Sequence, residues 1–176
     1  RYKPMRLEDT NKILNKFAKY VVQQAKSNLT REKKNVTKEL YNSIDYRVNQ
    51  FKDSIDLLFS MEDYGAFQDL GVSGTKTKYN TPYKYTNKMP PPSAFSQWVV
   101  RKGLEGTRDK SGKFVKRKSL QYAVARSIFL HGIKPSFFFT KPFQRAFKYI
   151  PNELRDAFVF DIEQDKKFFP ENMNKN

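Results

Sequence analysis

A small group of acidic residues and one histidine are the side chains best suited to catalysis in this 176-residue chain. Glu62 and Asp69 stand seven residues apart, so a helix would place them on one face, with Asp63 beside Glu62. Such a cluster could hold the divalent metal of a nuclease. The other nearby acids, Asp53 and Asp56, belong to a different predicted element, and a solvated surface is the ordinary role of such residues.

His131 is the only histidine, and it precedes Gly132 at the predicted end of a helix. There it favours the helix dipole, and without an orienting partner it is a weak candidate for a catalytic base. The absence of cysteine excludes a thiolate nucleophile and a cysteine zinc site. No P-loop or dinucleotide-binding glycine pattern occurs, and Ser73-Gly74-Thr75 is interpreted as a loop. We therefore expect no catalytic residue, no metal and no cofactor, and a protein that is not an enzyme.

The charge balance predicts an anionic partner. Lys and Arg number 34 against 18 Asp and Glu, a net charge of +16, which favours nucleic acid or an acidic protein surface; solubility alone is the alternative. Mobile basic side chains attract phosphates without reading sequence. A solvated loop that contacts an acidic neighbour is an equal alternative. The candidates to face DNA or a partner are Lys113, Lys116, Arg117 and Lys118, with Lys76 and Lys78 in a second loop.

Aromatic rings are expected to build the core, because they make up 15% of the chain while all hydrophobic residues make up only 38%. Trp98 and the phenylalanine cluster could instead stack on single-stranded nucleic acid, but helical and strand spacings favour burial. The predicted core residues are Phe17, Tyr64, Phe67, Trp98 and Phe139.

The first half of the chain predicts a helix and a hairpin. Asp9 or Thr10 can cap a helix of about twenty residues, whose apolar positions from Ile13 to Leu29 recur every three or four residues while its lysines fall largely on the other side. Residues 43–48 and 54–61 alternate in polarity, with Leu58 the one exception, and predict an antiparallel hairpin. A polar loop is expected at 30–38, and a short helix over 62–70 ends at Gly71.

The second half predicts an inserted helical segment between basic loops. Its expected elements are an exposed loop at 72–92, a helix from Ser93 to Gly103, a basic loop at 104–118, a helix from Ser119 to Gly132, a short strand at 133–140, a helix at 142–150, and a last helix from Asn152 that Pro170 stops. The predicted fold is α+β, an antiparallel sheet packed against long N-terminal and C-terminal helices. It forms one domain over residues 1–170, with loop insertions at 72–92 and 104–118 and a polar tail at 171–176.

The last helix carries the one acidic patch of a basic protein. Opposed patches could orient neighbouring subunits head to tail, so these acids are candidates for a subunit interface. Alternatively, they merely favour the dipole at the N-terminus of the helix. The residues are Glu153, Asp156, Asp161 and Glu163.

Four sequence blocks, in order, resemble one family. They are the aromatic-to-glycine stretch 64–75, the proline-initiated tryptophan helix 91–104, the stretch 123–135, and the phenylalanine-rich 137–143. The chain resembles the bacteriophage tail-completion or head–tail joining proteins. The resemblance implies a subunit of a neck ring of six or twelve copies, located in the neck or tail region of the virion and assembled in the bacterial host cytoplasm. Its implied partners are copies of itself, a portal or adaptor protein, tail tube or tail proteins, and non-specific DNA passing through the channel.

The alternative function is sequence-independent nucleic-acid binding outside a ring, which the charge alone supports. We expect no membrane partner, because no apolar run approaches the roughly 18 residues of a spanning helix.

Overall fold

The computed structural model describes residues 6–32, 38–51 and 54–168, with side chains described through residue 164. In these ranges one antiparallel hairpin is combined with seven α-helices, which confirms the α+β class and the long N-terminal and C-terminal helices. The elements are α1 (Glu8–Arg31), α2 (Glu39–Ser43), β1 (Asp45–Gln50), β2 (Ile55–Ser60), α3 (Gly65–Leu70), α4 (Ser96–Arg101), α5 (Arg117–His131), α6 (Thr140–Phe147) and α7 (Ile150–Phe168), with short 3-10 turns at Pro92–Phe95 and Leu104–Gly106.

Helix α1 is the central element of the hydrophobic core. Its apolar side chains at three- and four-residue spacing, including Leu14, Phe17, Val21 and Leu29, are buried along one face, as predicted. The predicted cap was wrong, because the helix begins at Glu8 and its capping position is Leu7, which makes no side-chain cap. Of the predicted loop at 30–38, the first two residues belong to α1, and residues 33–37 lie outside the described ranges.

The predicted hairpin is confirmed. Strands β1 and β2 pair in antiparallel register from Asp45 with Ser60 to Gln50 with Ile55. Their more buried positions alternate, so Val48, Leu57 and Phe59 pack toward the core that α1 lines. Leu58, which broke the alternation in the sequence, faces solvent. The register therefore places one side of the hairpin against α1 and leaves the other side exposed.

Two hydrophobic clusters meet at Phe59 and Phe139. Both residues pack against the cluster around Leu29 and Phe138 and against the cluster around Phe17 and Ile150. The rings of Phe59 and Phe139 meet edge to face with centroids 5.2 Å apart, and Phe17 contacts Phe59 in the same way at 6.3 Å. The prediction that Phe17 is core is confirmed, and Phe139 is partly buried at the junction of the clusters.

Three of the predicted core residues were assigned wrongly. Tyr64, Phe67 and Trp98 are 38%, 39% and 38% exposed. Phe67 packs edge to face on Tyr83 near the surface, with ring centroids 4.7 Å apart. Trp98 lies on α4, whose buried residue is Val99 instead. The physical reason is that α3 and α4 are each six residues long, so each buries only a narrow face.

The beginning of the predicted loop 72–92 is not exposed, because residues 72–74 are buried where the chain crosses the end of α5. Val72 and Ile133 exchange two backbone hydrogen bonds of 2.8 Å. The N–H groups of Thr75, Lys76 and Thr77 donate to the last carbonyls of α5, at Phe129 and Leu130. This glycine crossing, formed by residues 71–77 and 129–133, satisfies helix-end acceptors that would otherwise need water.

The glycine crossing requires glycine at two positions. A Cβ on Gly132 would lie 2.0 Å from the carbonyl oxygen of Val72, and this residue has φ +72°. A Cβ on Gly74 would lie 2.3 Å from the carbonyl oxygen of Leu130. The two backbones can approach this closely because neither residue carries a side chain.

The short strand predicted at 133–140 was wrong. Only Ile133 makes a bridge, and Pro135 has no N–H to continue a ladder. Phe137 adopts φ 53°, and the N–H groups of Ser136 and Phe137 donate to the carbonyl of Asp69. The segment is a turn into α6.

The C-terminal helices divide earlier than predicted. Helix α6 begins at Thr140 and ends at Phe147, and α7 begins at Ile150 with Pro151 in its first turn, where a missing N–H costs little. Helix α5 likewise begins at Arg117, two residues before the predicted Ser119. The predicted stop at Pro170 and the tail at 171–176 lie outside the described residues. Among the described helices, none is both long and apolar enough to cross a membrane.

Candidate functional site

The acids that the sequence suggested for a metal centre have different structural roles. Asp69 is buried, and its carboxylate accepts hydrogen bonds from the N–H groups of Phe139 at 2.8 Å and Thr140 at 3.2 Å, and from the Thr140 hydroxyl. It therefore caps the N-terminus of α6. Glu62 and Asp63 are exposed. Across the described ranges, no group of three His, Cys, Asp or Glu side chains is arranged to hold a metal ion.

His131 lies at the C-terminal end of α5, where the sequence placed it. Its side chain is exposed, and Nδ1 lies 3.3 Å from the hydroxyl of Thr77. Its surroundings are those of a helix C-terminus.

Residues 92–131, here called the basic arm, form a poorly buried segment of high charge. They contain nine Lys or Arg and two acids, a net of +7. Helices α4 and α5 pack on each other and on the 3-10 turn at Pro92–Phe95. Within this fully described segment the buried hydrophobic residues are Val99 and Ala125, whereas four large ones are exposed: Trp98, Val100, Phe114 and Tyr122.

A small hairpin projects from the basic arm between α4 and α5. Arg108 and Phe114 face each other across it, with the guanidinium 4.0 Å from the centroid of the ring. Its turn is held by Asp109, which accepts from the hydroxyl and N–H of Ser111 and from the N–H of Lys113. The hydrogen bond from the Ser111 hydroxyl, followed by those from the backbone, lowers the pKa of Asp109 below the ordinary value of an aspartate. The loop at 104–118 thus has a defined shape.

The structure divides the predicted basic residues between the two ends of α5. Lys113, Lys116 and Lys118 are exposed near its N-terminus. Arg117 is exposed as well but forms an ion pair with Glu105. Three of these four residues are thus free to meet a partner.

Lys76 and Lys78 lie at the opposite end. The N–H of Lys76 donates to the carbonyl of Leu130, and the Lys78 ammonium donates to the carbonyl of Gly74 at 2.8 Å. From Arg117 to Leu130 a helix rises about 20 Å, so the two basic groups do not form one patch.

Asp161 was wrongly predicted to be an interface residue. It is 4% exposed. Its carboxylate accepts hydrogen bonds from the N–H of Asp9 at 3.0 Å, the N–H of Thr10 at 2.8 Å and the Thr10 hydroxyl at 2.7 Å. It thus supplies from α7 the N-terminal cap that α1 lacks locally, and both of its carboxylate oxygens accept hydrogen bonds within the chain.

The other three predicted acids are at least partly exposed and share a face of α7. At about 100° per residue, Glu153, Asp156 and Glu163 fall within roughly 80° of one another around the helix axis. The exposed side chains of Val159 and Phe160 border the same face. Asp156 contacts the neighbouring Arg155 at 3.0 Å on the surface. These five residues, the three acids with Val159 and Phe160, are here called the acidic face.

A third surface was missed by sequence reasoning. A groove of about 680 Å³ lies between α1 and the junction of α6 with α7. Apolar side chains on both sides line it, among them Phe17 and Ile150. Its polar and aromatic lining includes Lys16, Lys19, Tyr20, Arg145, Lys148, Tyr149 and Glu153. The lysines were assigned to the solvent side of α1, and nothing in the local pattern reveals that α6 brings further cations beside them.

Comparison of the chain with models of protein families, with curated proteins and with solved structures finds no match.

Proposed function

We propose that this protein is a structural ring subunit of a bacteriophage neck, which joins a portal or adaptor to the tail and surrounds the DNA channel. The observation that carries the proposal is the pair of oppositely charged, partly apolar surfaces on separate parts of one chain: the basic arm and the acidic face. A subunit that binds its own copies head to tail needs two different surfaces of this kind. The resemblance of the four sequence blocks to neck proteins supplies the viral setting.

The apolar content of the two surfaces supports contact with protein. Trp98 and Tyr122 are exposed on the basic arm, and Val159 and Phe160 are exposed on the acidic face. Aromatic residues are enriched in the centres of protein interfaces, where they are enclosed by polar rims. The buried hydrophobic residues of the basic arm are Val99 and Ala125. Burial of its exposed apolar side chains against a neighbouring copy would therefore stabilise the basic arm.

The charges of the two surfaces set the polarity of the contact. Lys113, Lys116 and Lys118 on one copy would face Glu153 and the other acids of the next. Complementary charge of this kind raises the association rate and fixes orientation more than it adds affinity. Helices α4 and α5 pack on each other and have no comparable packing on α7, so the two surfaces of one chain are not already joined.

Size-exclusion chromatography with light scattering, alone and with the portal or adaptor protein, tests the proposal. The native chain should form a ring of defined mass in one of these conditions. Glu153→Lys with Glu163→Lys should weaken assembly, and adding Lys113→Glu with Lys116→Glu should restore part of it. Asp63→Lys, an exposed acid outside both surfaces, is the matched control. A chain that stays monomeric in every condition, or assembly that ignores the charge reversals, would overturn the proposal. Monomers that bind DNA with a steep salt dependence would support the alternative function.

A further inference from the structure

We propose that the groove between α1 and the α6–α7 junction is a binding site for single-stranded nucleic acid. The groove is distinct from the basic arm and shares one residue, Glu153, with the acidic face. Strand binding in the groove does not require ring formation.

The charge of the groove favours a polyanion. Lys16, Lys19, Arg145 and Lys148 line it against one acid, Glu153, which gives a net of +3. None of these four cations has an ion pair or a side-chain hydrogen bond within the described ranges. Lys12, one turn before Lys16, is in contrast held by Asp9 at 2.7 Å. Four unengaged cations around one concavity can each neutralise a phosphate.

The aromatic residues of the groove favour unpaired bases. Tyr149 is 72% exposed and Tyr20 is 45% exposed, although both line the groove. Phe147, which precedes Lys148 in the sequence, is exposed and stacks on Phe143 with ring centroids 5.6 Å apart. Exposed rings beside a basic track are the arrangement on which successive bases of a single strand stack without sequence preference.

The apolar side chains that line the groove are here called its floor: Ile13, Phe17, Ala146 and Ile150. This floor favours a single strand over other anionic ligands. Bases turned inward would cover this floor while their phosphates meet the lysines, whereas paired bases of a duplex are already stacked and cannot turn in. An acidic protein segment would satisfy the cations but would make no special use of Tyr149.

Fluorescence anisotropy with a labelled poly-dT strand of about 20 nucleotides and the full chain tests the site, with a duplex of the same length as comparison. Tyr149→Ala should weaken strand binding roughly 5- to 150-fold, the effect expected when one base loses the ring on which it stacks, while Tyr149→Phe should bind like the native chain. Lys16→Glu with Arg145→Glu should weaken binding at least about tenfold. The slope of the logarithm of the binding constant against the logarithm of the salt concentration should become shallower by about 0.7 for each phosphate that the variant no longer neutralises. Tyr149 is so exposed that its removal should leave the circular dichroism spectrum and melting temperature unchanged.

The matched control is Lys88→Glu with Lys134→Glu, two exposed lysines outside both the groove and the basic arm, which should change strand binding much less than the groove variants. A further variant, Lys113→Glu with Lys116→Glu, tests the basic arm as the other place where a strand could bind. Three results would overturn the proposal. One is native-like affinity in both Tyr149→Ala and the groove double variant. Another is weakened binding only in the basic-arm variant. The third is equal displacement of the strand by polyglutamate of matched charge, which would mean that the groove takes any polyanion, including an acidic protein.

Discussion

Replacing Asp161 with alanine removes the carboxylate that caps the first turn of α1. Asp161 lies on α7, about 150 residues away from that turn in the sequence. The substitution leaves the N–H of Asp9, the N–H of Thr10 and the buried Thr10 hydroxyl without their acceptor. The capping position of α1 is Leu7, and within the described part of the chain this position makes no side-chain cap of its own. Asp161 also joins α7 to α1, so its removal weakens the cap and the helix packing together.

The magnitude follows from the three bonds. A hydrogen bond to a charged group contributes about 1.5–3 kcal/mol net, and buried donors left unsatisfied cost about 1–3 kcal/mol each. The bonds share one carboxylate and the N–H of Asp9 is only partly buried, so the contributions do not add in full. We expect Asp161→Ala to lower the free energy of unfolding by about 3–4 kcal/mol. Asp161→Asn, which keeps one acceptor oxygen, should lower it by about half as much.

Urea denaturation followed by circular dichroism in the far ultraviolet measures the effect. With a urea slope of about 2 kcal/mol/M, the midpoint should fall by about 1.5–2 M in Asp161→Ala. The melting temperature should fall by about 10 °C. Asp156→Ala is the matched control, because Asp156 is an exposed aspartate on the same helix whose partner is the adjacent Arg155. That control should stay within about 0.5 kcal/mol of the native chain.

Equal midpoints and slopes for Asp161→Ala and Asp156→Ala would refute the reasoning, because a buried three-bond cap cannot be removed without cost. Unchanged stability combined with abolished self-association would reinstate the interface role that the sequence suggested for Asp161.

Three further changes probe other parts of the molecule. Gly132→Ala should lower the free energy of unfolding in chemical denaturation by about 3 kcal/mol or more, because the new side chain would clash with backbone at a residue of positive φ. Gly103→Ala is the control: this residue also has a positive φ but open space around it, so the cost should be only about 1 kcal/mol. Equal costs for the two variants would argue against the glycine crossing. Ser111→Ala should raise the pKa of Asp109 toward its ordinary value in an NMR titration, and an unmoved pKa would contradict the assigned hydrogen bond. Because the folded pKa of Asp109 is lowered, its contribution to the turn is complete above the unfolded pKa and disappears as pH falls through the folded one. Trp98→Ala should cost about 1–2 kcal/mol by thermal melting, below the roughly 3–5 kcal/mol of a buried tryptophan, and a larger destabilisation would return Trp98 to the core.

The elements that the sequence predicted well are those whose signal is local. The buried stripe of α1 repeats every three or four residues, and the hairpin alternates so regularly that its one exception, Leu58, could be assigned to solvent once the register was known. Gly71 and Gly132 marked the ends of α3 and α5 because a glycine with positive φ stops a helix within its own neighbourhood.

The features that could not be predicted depend on pairings distant in the chain. Asp69 and Asp161 resemble solvated acids in the sequence, and only the packed structure places each beside the N-terminus of another helix. The groove joins lysines of α1 to cations near residue 148, which no periodicity within either segment reveals. Trp98 was misassigned because ring size favours burial in general, while the short helix that carries it has room to bury only Val99.

The glycine crossing has a consequence for geometry. The backbone there touches backbone, so the angle at which the basic arm leaves the body is determined by main-chain atoms with no deformable side chain between them. In a closed ring of identical copies, every copy repeats the same angle between the basic arm and the body, so small errors in that angle accumulate around the ring. A junction of backbone against backbone would let every copy present α4 and α5 at the same angle.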